Sequence, residues 1–78
     1  MNISIYALMM AIKSVQRDIA AHEKLANDAE LSDEDLDYYG QLVLDLSKVF
    51  GELCMVYDAE QKNYPDFPPM EEVIRVMA

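Results

Sequence analysis

Two of the side chains that could do nucleophilic or acid–base chemistry are each the single residue of their type: His22 and Cys54. Catalysis needs a nucleophile within hydrogen-bond reach of a base, and a zinc site needs several Cys or His ligands at short spacings. Neither pattern occurs, so we expect no catalytic residue, no metal and no cofactor. We interpret His22 as a hydrogen-bonded interface or boundary residue, with a pH-sensitive interface as the alternative. Cys54 lies among apolar residues and is expected to be buried and inert, with a redox role as the alternative.

The acidic stretch from Asp28 to Asp37 raises the question of a calcium site. An EF-hand loop beginning at Asp33 needs glycine at its sixth position and glutamate at its twelfth. Tyr38 and Leu44 occupy those positions. We therefore expect a helix cap and a solvated acidic surface, which continues along the following helix and comprises Asp33, Glu34, Asp35, Asp37, Asp45 and Glu52.

The net charge of −9 comes from 15 acidic and six basic residues in a chain of 78. Nucleic-acid backbones and anionic membranes both attract positive charge, so direct binding to either is not expected. The uncharged run 1–12 is too short to span a bilayer and lacks the basic start of a signal peptide. These features predict a cytoplasmic protein, and the length predicts one domain, 1–78.

Three helical segments are predicted, which makes the fold class all-α. The first, about 3–27, shows apolar residues at alternating spacings of three and four. The second, about 33–62, begins at Ser32, an N-cap residue followed three positions later by an acid. A connector, 63–68, leads to a short helix, about 69–77. The brief connection between the first two helices predicts an antiparallel two-helix hairpin.

The second helix carries more apolar surface than one neighbour can cover. Its strongly polar residues between positions 36 and 57 form one narrow stripe, whereas a helix packed on a single neighbour buries about a third of its circumference. We expect two hairpins to dimerise into a four-helix bundle, with a hetero-complex or a monomer closed by the short helix as alternatives. The predicted self-association interface is Ile5, Leu8, Met9, Ile12, Val15, Ile19, Tyr39, Leu42, Val43, Leu46, Val49, Phe50, Leu53, Val56 and Tyr57.

In the C-terminal segment, apolar residues recur at the spacing that places them on one face of a helix, and they form a second apolar surface. It could dock on its own hairpin, exchange with the partner in a dimer, or enter a groove of another protein. The candidate partner-binding residues are Tyr64, Phe67, Met70, Val73, Ile74 and Met77.

Excess apolar surface without a catalytic motif favours a non-enzymatic protein–protein interaction module. It would be a small acidic adaptor, regulator or inhibitor whose partners are a second copy of itself and another protein. One alternative is an acidic mimic of nucleic acid that inhibits a DNA- or RNA-binding protein, of the kind that mobile elements encode. A minor alternative is a non-catalytic subunit of a larger enzyme.

Overall fold

A computed structural model describes residues 3–75, and within that range the fold is all-helical. The helices are α1, Ile5–Ala26; α2, Asp33–Gln61; and α3, Met70–Val73. The two long helices pack together as a hairpin joined by residues 27–32, and α3 contacts both of them. The predicted helical hairpin with a short third helix is confirmed.

Serine hydroxyls begin both long helices. The hydroxyl of Ser32 accepts a hydrogen bond from the backbone N–H of Asp35 at 3.2 Å, which agrees with the predicted cap. The hydroxyl of Ser4 accepts from the N–H of Ala7 at 3.0 Å. Each bond satisfies one of the backbone donors that the first turn of a helix leaves free. Because Ser4 is an extended capping residue, α1 begins at Ile5 rather than at residue 3.

The buried side chains lie at the end of the hairpin away from the connection 27–32, which we call the distal end. All three helices contribute to this core, which contains Ile5, Leu8, Ile12, Tyr57 and Val73. Partly buried neighbours surround it: Met9, Phe50, Leu53, Cys54, Val56, Phe67, Met70 and Ile74. Since Val73 is only 2% exposed, α3 is part of the core and closes it.

Three hydrogen bonds hold the C-terminal segment, residues 67–75, against the hairpin. The hydroxyl of Tyr57 donates to the carbonyl oxygen of Pro68 at 2.7 Å, and the side-chain amide of Gln61 donates to the carbonyl of Phe67 at 3.1 Å. The side-chain amide of Gln16 donates to the carbonyl of Ile74 at 2.6 Å. The segment therefore docks on its own hairpin, through main-chain groups as well as apolar contacts.

The third helix is shorter than the predicted 69–77 within the part of the chain that the structure describes. Pro69 is an extended N-cap rather than the first helical residue. At Ile74, the C-cap residue, φ is −89° and ψ is 0°, and the carbonyl accepts a hydrogen bond from the side-chain amide of Gln16. Met77, which the periodicity placed on the same helix, lies outside the described residues.

The helices form a single layer. The principal dimensions are 47 × 29 × 14 Å, and the radius of gyration is 14.8 Å, against about 11.5 Å for a compact domain of this length. Stable domains usually bury apolar faces between at least two layers. No side chain between residues 13 and 56 is buried, so this part of the hairpin has a seam between two helices but no closed core.

Replacing Tyr57 with phenylalanine keeps the buried ring and removes the hydroxyl that holds the carbonyl of Pro68. We expect the free energy of unfolding to fall by about 1 kcal/mol, and the melting temperature to fall by about 4–8 °C. Circular dichroism at one fixed protein concentration measures both. Tyr6→Phe is the matched control, because Tyr6 is 58% exposed. Equal melting temperatures for the two variants would show that this hydrogen bond does not secure the C-terminal segment.

Candidate functional site: the open face of the hairpin

One face of the hairpin carries the C-terminal segment, and the opposite face is open. Gln16 of α1 and Gln61 of α2 both donate to that segment, so they mark the covered face. At 100° per residue, Ala11 lies about 140° around α1 from Gln16, and Val49 lies about 120° around α2 from Gln61. The residues on the side of the hairpin away from Gln16 and Gln61 define the open face: Ala7, Ala11, Ser14, Leu42, Val49 and Val56.

Two apolar heptad patterns run side by side along α2. The first faces α1 and recurs at spacings of three and four from Leu36 to Tyr57. The second is displaced around the helix, where Leu42, Val49 and Val56 follow at intervals of seven. Val49 is 45% exposed, and the other two are half-buried. Two adjoining patterns are typical of a helix that packs on two neighbours, but the hairpin supplies only α1.

Small residues form the α1 side of the open face. Ala7, Ala11 and Ser14 follow at spacings of four and three, and Ala7 and Ser14 are exposed. Small side chains allow the axis of a neighbouring helix to come close. The predicted interface contains large apolar side chains only and therefore does not include these three residues, which are recognisable in the sequence by their spacings of four and three.

The residues predicted for self-association fall into three groups. The side chains of Ile5, Leu8, Ile12 and Tyr57 are covered by the chain's own helices, so they present no surface to a second chain in this arrangement. Val49 is exposed. The remaining ten are half-buried along the seam or beside it: Met9, Val15, Ile19, Tyr39, Leu42, Val43, Leu46, Phe50, Leu53 and Val56.

The predicted partner-binding residues of the C-terminal segment mostly face their own hairpin. Val73 is buried, and Phe67, Met70 and Ile74 are half-buried against the distal core. Tyr64 is 47% exposed, with its ring centre 6.4 Å from that of Phe67. Tyr64 is therefore the member of this set that keeps an accessible aromatic surface among residues 64–74.

The predicted acidic surface is solvent-exposed at every position. All six carboxylates are on exposed residues, and Asp45 accepts a hydrogen bond from the side-chain amide of Gln41 at 3.1 Å. Asp28 accepts from the backbone N–H of Glu30 at 2.9 Å, which shapes the start of the connection between the helices. Among residues 3–75, no group of three or more His, Cys, Asp or Glu side chains is arranged to hold a metal ion.

The histidine and the cysteine lie in different parts of the hairpin. Nδ1 of His22 is 2.7 Å from the carbonyl oxygen of Asp18, so Nδ1 carries a proton, because a carbonyl oxygen only accepts. The ring of His22 lies 5.9 Å from that of Tyr39, beside the seam. Cys54 is half-buried rather than fully buried in the distal cluster. Burial raises the pKa of its thiol, which leaves the thiol protonated and weakly nucleophilic at neutral pH.

No protein-family model, curated protein or solved structure matches this chain. Across residues 3–75, no helix combines the length and the apolar character needed to cross a membrane. The open face therefore has to be interpreted from its own geometry and chemistry.

Stability should decrease as the pH rises above neutrality. Burial raises the pKa of the Cys54 thiol and of the Tyr57 phenol, so the folded chain holds both protons more tightly than the unfolded chain. The stabilisation is complete below the unfolded pKa values, about 8.5 for cysteine and about 10 for tyrosine, and is lost as the pH rises through the folded values. Urea unfolding at pH 7, 9 and 10.5 measures this. Cys54→Ala should flatten the first step and Tyr57→Phe the second; unchanged slopes in both variants would contradict the assignment.

Proposed function

We propose that this chain is a non-enzymatic protein–protein interaction module that works as a homodimer, in which the open faces of two hairpins pack into a four-helix bundle. The observation that supports the proposal is the second apolar heptad pattern of α2, which is displaced around the helix from the pattern that faces α1 and whose middle residue, Val49, is 45% exposed. A second copy supplies both the missing layer and the second neighbour for α2.

The accessible surface area of the chain is large enough to provide a dimer interface of standard size. The chain exposes 5854 Å², whereas a compact monomer of 8.9 kDa exposes about 4,800 Å². The excess of about 1,000 Å² is close to the area of about 800 Å² that each partner contributes to a standard protein interface. A stable dimer therefore needs no more surface than the hairpin already exposes in excess.

The position of the open face favours a two-fold symmetric dimer. Ser14 is near the middle of α1, and Val49 is near the middle of α2. A two-fold axis through this region places the same patch of each copy in contact, which is the commonest closed arrangement of identical chains. The C-terminal segments then lie on the two outer surfaces of the bundle.

Charge favours packing with the two loops at opposite ends. Six carboxylates lie at one end of the hairpin, at Asp28, Glu30, Asp33, Glu34, Asp35 and Asp37. Placing two such ends together brings like charges close, which costs free energy. The hairpin is 47 Å long, so opposite ends are separated by several times the screening length of about 8 Å at physiological salt. The dimer thus carries two separate acidic ends.

The dimer leaves two kinds of surface for other proteins. The acidic loop end and the polar stripe of α2 stay in solvent, and so does Tyr64 on each C-terminal segment. Each surface occurs twice because of the symmetry, which suits an adaptor or regulator that joins two copies of a partner. A non-catalytic subunit of a larger enzyme would use the same surfaces.

A second candidate function is mimicry of nucleic acid, supported by the exposure of all six predicted acidic residues. Against it, Lys48 is exposed on the same stripe of α2. Binding of a mimic to a basic nucleic-acid-binding protein should weaken by orders of magnitude between low and high salt, because the contact is electrostatic. Binding that does not respond to salt would rule out this second function.

Two matched variants test the dimer. Val49→Glu places a carboxylate in the middle of the open face, where dimerisation would bury it without a partner. Leu44→Glu is the control, because Leu44 is 58% exposed and lies about 140° around the same helix. We expect sedimentation equilibrium to give a dimer for the wild type and for Leu44→Glu, and a dissociation constant roughly 100-fold higher or more for Val49→Glu.

Circular dichroism should show the same helix content in both variants, since each position is exposed in the single chain. A wild-type chain that stays monomeric from low micromolar to millimolar concentration would refute the homodimer. Dissociation caused by Leu44→Glu and not by Val49→Glu would place the interface on the other flank of α2.

A further inference from the structure

Three of the six basic residues of this acidic chain line one cavity. The cavity has a volume of about 280 Å³ and lies between α1 and the C-terminal segment, where it is lined by Lys13, Gln16, Arg17, Ala20, Val73 and Arg75. The chain has 15 acidic residues and a net charge of −9. Half of its positive charge is therefore concentrated at a single concave site.

Helical spacing and the docked segment together assemble this cavity. Lys13, Gln16, Arg17 and Ala20 are related by three, four and seven residues, so they share one face of α1. Val73 and Arg75 reach that face because the amide of Gln16 holds the carbonyl of Ile74 at 2.6 Å. Gln16 thus positions the C-terminal segment, and the cationic side chains of the cavity come from both α1 and that segment.

The part of α1 that lines the cavity carries two cations, Lys13 and Arg17, and no acid. No acidic residue precedes Asp18 in the chain, and Asp18 projects about 100° around α1 from Arg17. Glu71 and Glu72 are exposed on α3, next to Val73 in the chain. The six residues that line the cavity include three cations and no acid.

We propose that this cavity binds a small organic carboxylate. Arg17 and Arg75 carry guanidinium groups, which match the planar geometry of a carboxylate, and Lys13 adds a third positive charge. Ala20 and Val73 make part of the cavity lining apolar, which favours a ligand with a short hydrocarbon chain over an inorganic ion. The volume is at the small end of ligand sites, which run from about 300 to 1,000 Å³, so the ligand has few carbon atoms.

Binding at this site is linked to docking of the C-terminal segment. The cavity exists only while Val73 and Arg75 lie against α1, so a ligand that fills it stabilises the docked arrangement. This inference is independent of the homodimer, because the cavity is on the covered face of the hairpin and the proposed dimer interface is on the open face.

Titration of the ¹⁵N-labelled chain with hexanoate, at constant pH and ionic strength, tests the site by NMR. We expect saturable shifts confined to the backbone amides of residues 13–20 and 73–75, and binding at least tenfold weaker for the neutral analogue hexanamide. Arg17→Gln and Arg75→Gln should each weaken hexanoate binding at least tenfold. Lys48→Gln, which removes an exposed cation from α2, should leave it unchanged.

Three outcomes would overturn the proposal. Equal binding of hexanoate and hexanamide would mean adsorption to apolar surface without recognition of the carboxylate. Equal loss in Arg17→Gln and Lys48→Gln would mean a general charge effect without a site. Inorganic phosphate binding as tightly as hexanoate would show that the apolar wall plays no part in recognition.

Discussion

The closure of the distal core by the C-terminal segment is the interaction on which the other features of the structure depend. Two antiparallel helices bury only a seam, and it is Val73 that completes an enclosed cluster with Ile12 and Tyr57. The hydroxyl of Tyr57 fixes the segment at the carbonyl of Pro68, which limits the positions from which α3 can approach. The segment covers one face of the hairpin at its distal end and leaves the opposite face of that end uncovered by α3.

Most of the hairpin lacks a second layer of helices because the two long helices take up most of the chain. The helices α1 and α2 take 22 and 29 residues, whereas α3 has four and covers the distal end alone. Along residues 13–56 the side chains between α1 and α2 stay partly solvated. Because apolar area removed from water is the main favourable contribution to folding, a partner on the open face would stabilise this part of the hairpin most.

The local features of the fold and the pairing of the two long helices could be predicted from the sequence, but the contacts that dock the C-terminal segment could not. The cap at Ser32 and the apolar spacing of α2 involve residues within one or two turns, so they were visible in the sequence. The hydrogen bond between Gln16 and Ile74 was not, because the two residues lie 58 positions apart. Leu8 and Val49 are both large apolar residues in heptad patterns, yet one is buried and the other exposed, because Leu8 lies in the distal core and Val49 lies on the displaced pattern of α2. Arg75 and Lys13 line the same cavity because the C-terminal segment docks against α1, which is also a tertiary contact.

The wide sequence separation of the core residues has a consequence for biosynthesis. Ile5, Leu8 and Ile12 leave the ribosome early, but Val73 is made near the end of the described chain. At about 5–20 residues per second, these apolar side chains wait several seconds for the residue that encloses them. During that interval these side chains lack the residue that encloses them, and transiently exposed apolar surface of this kind is what chaperones bind.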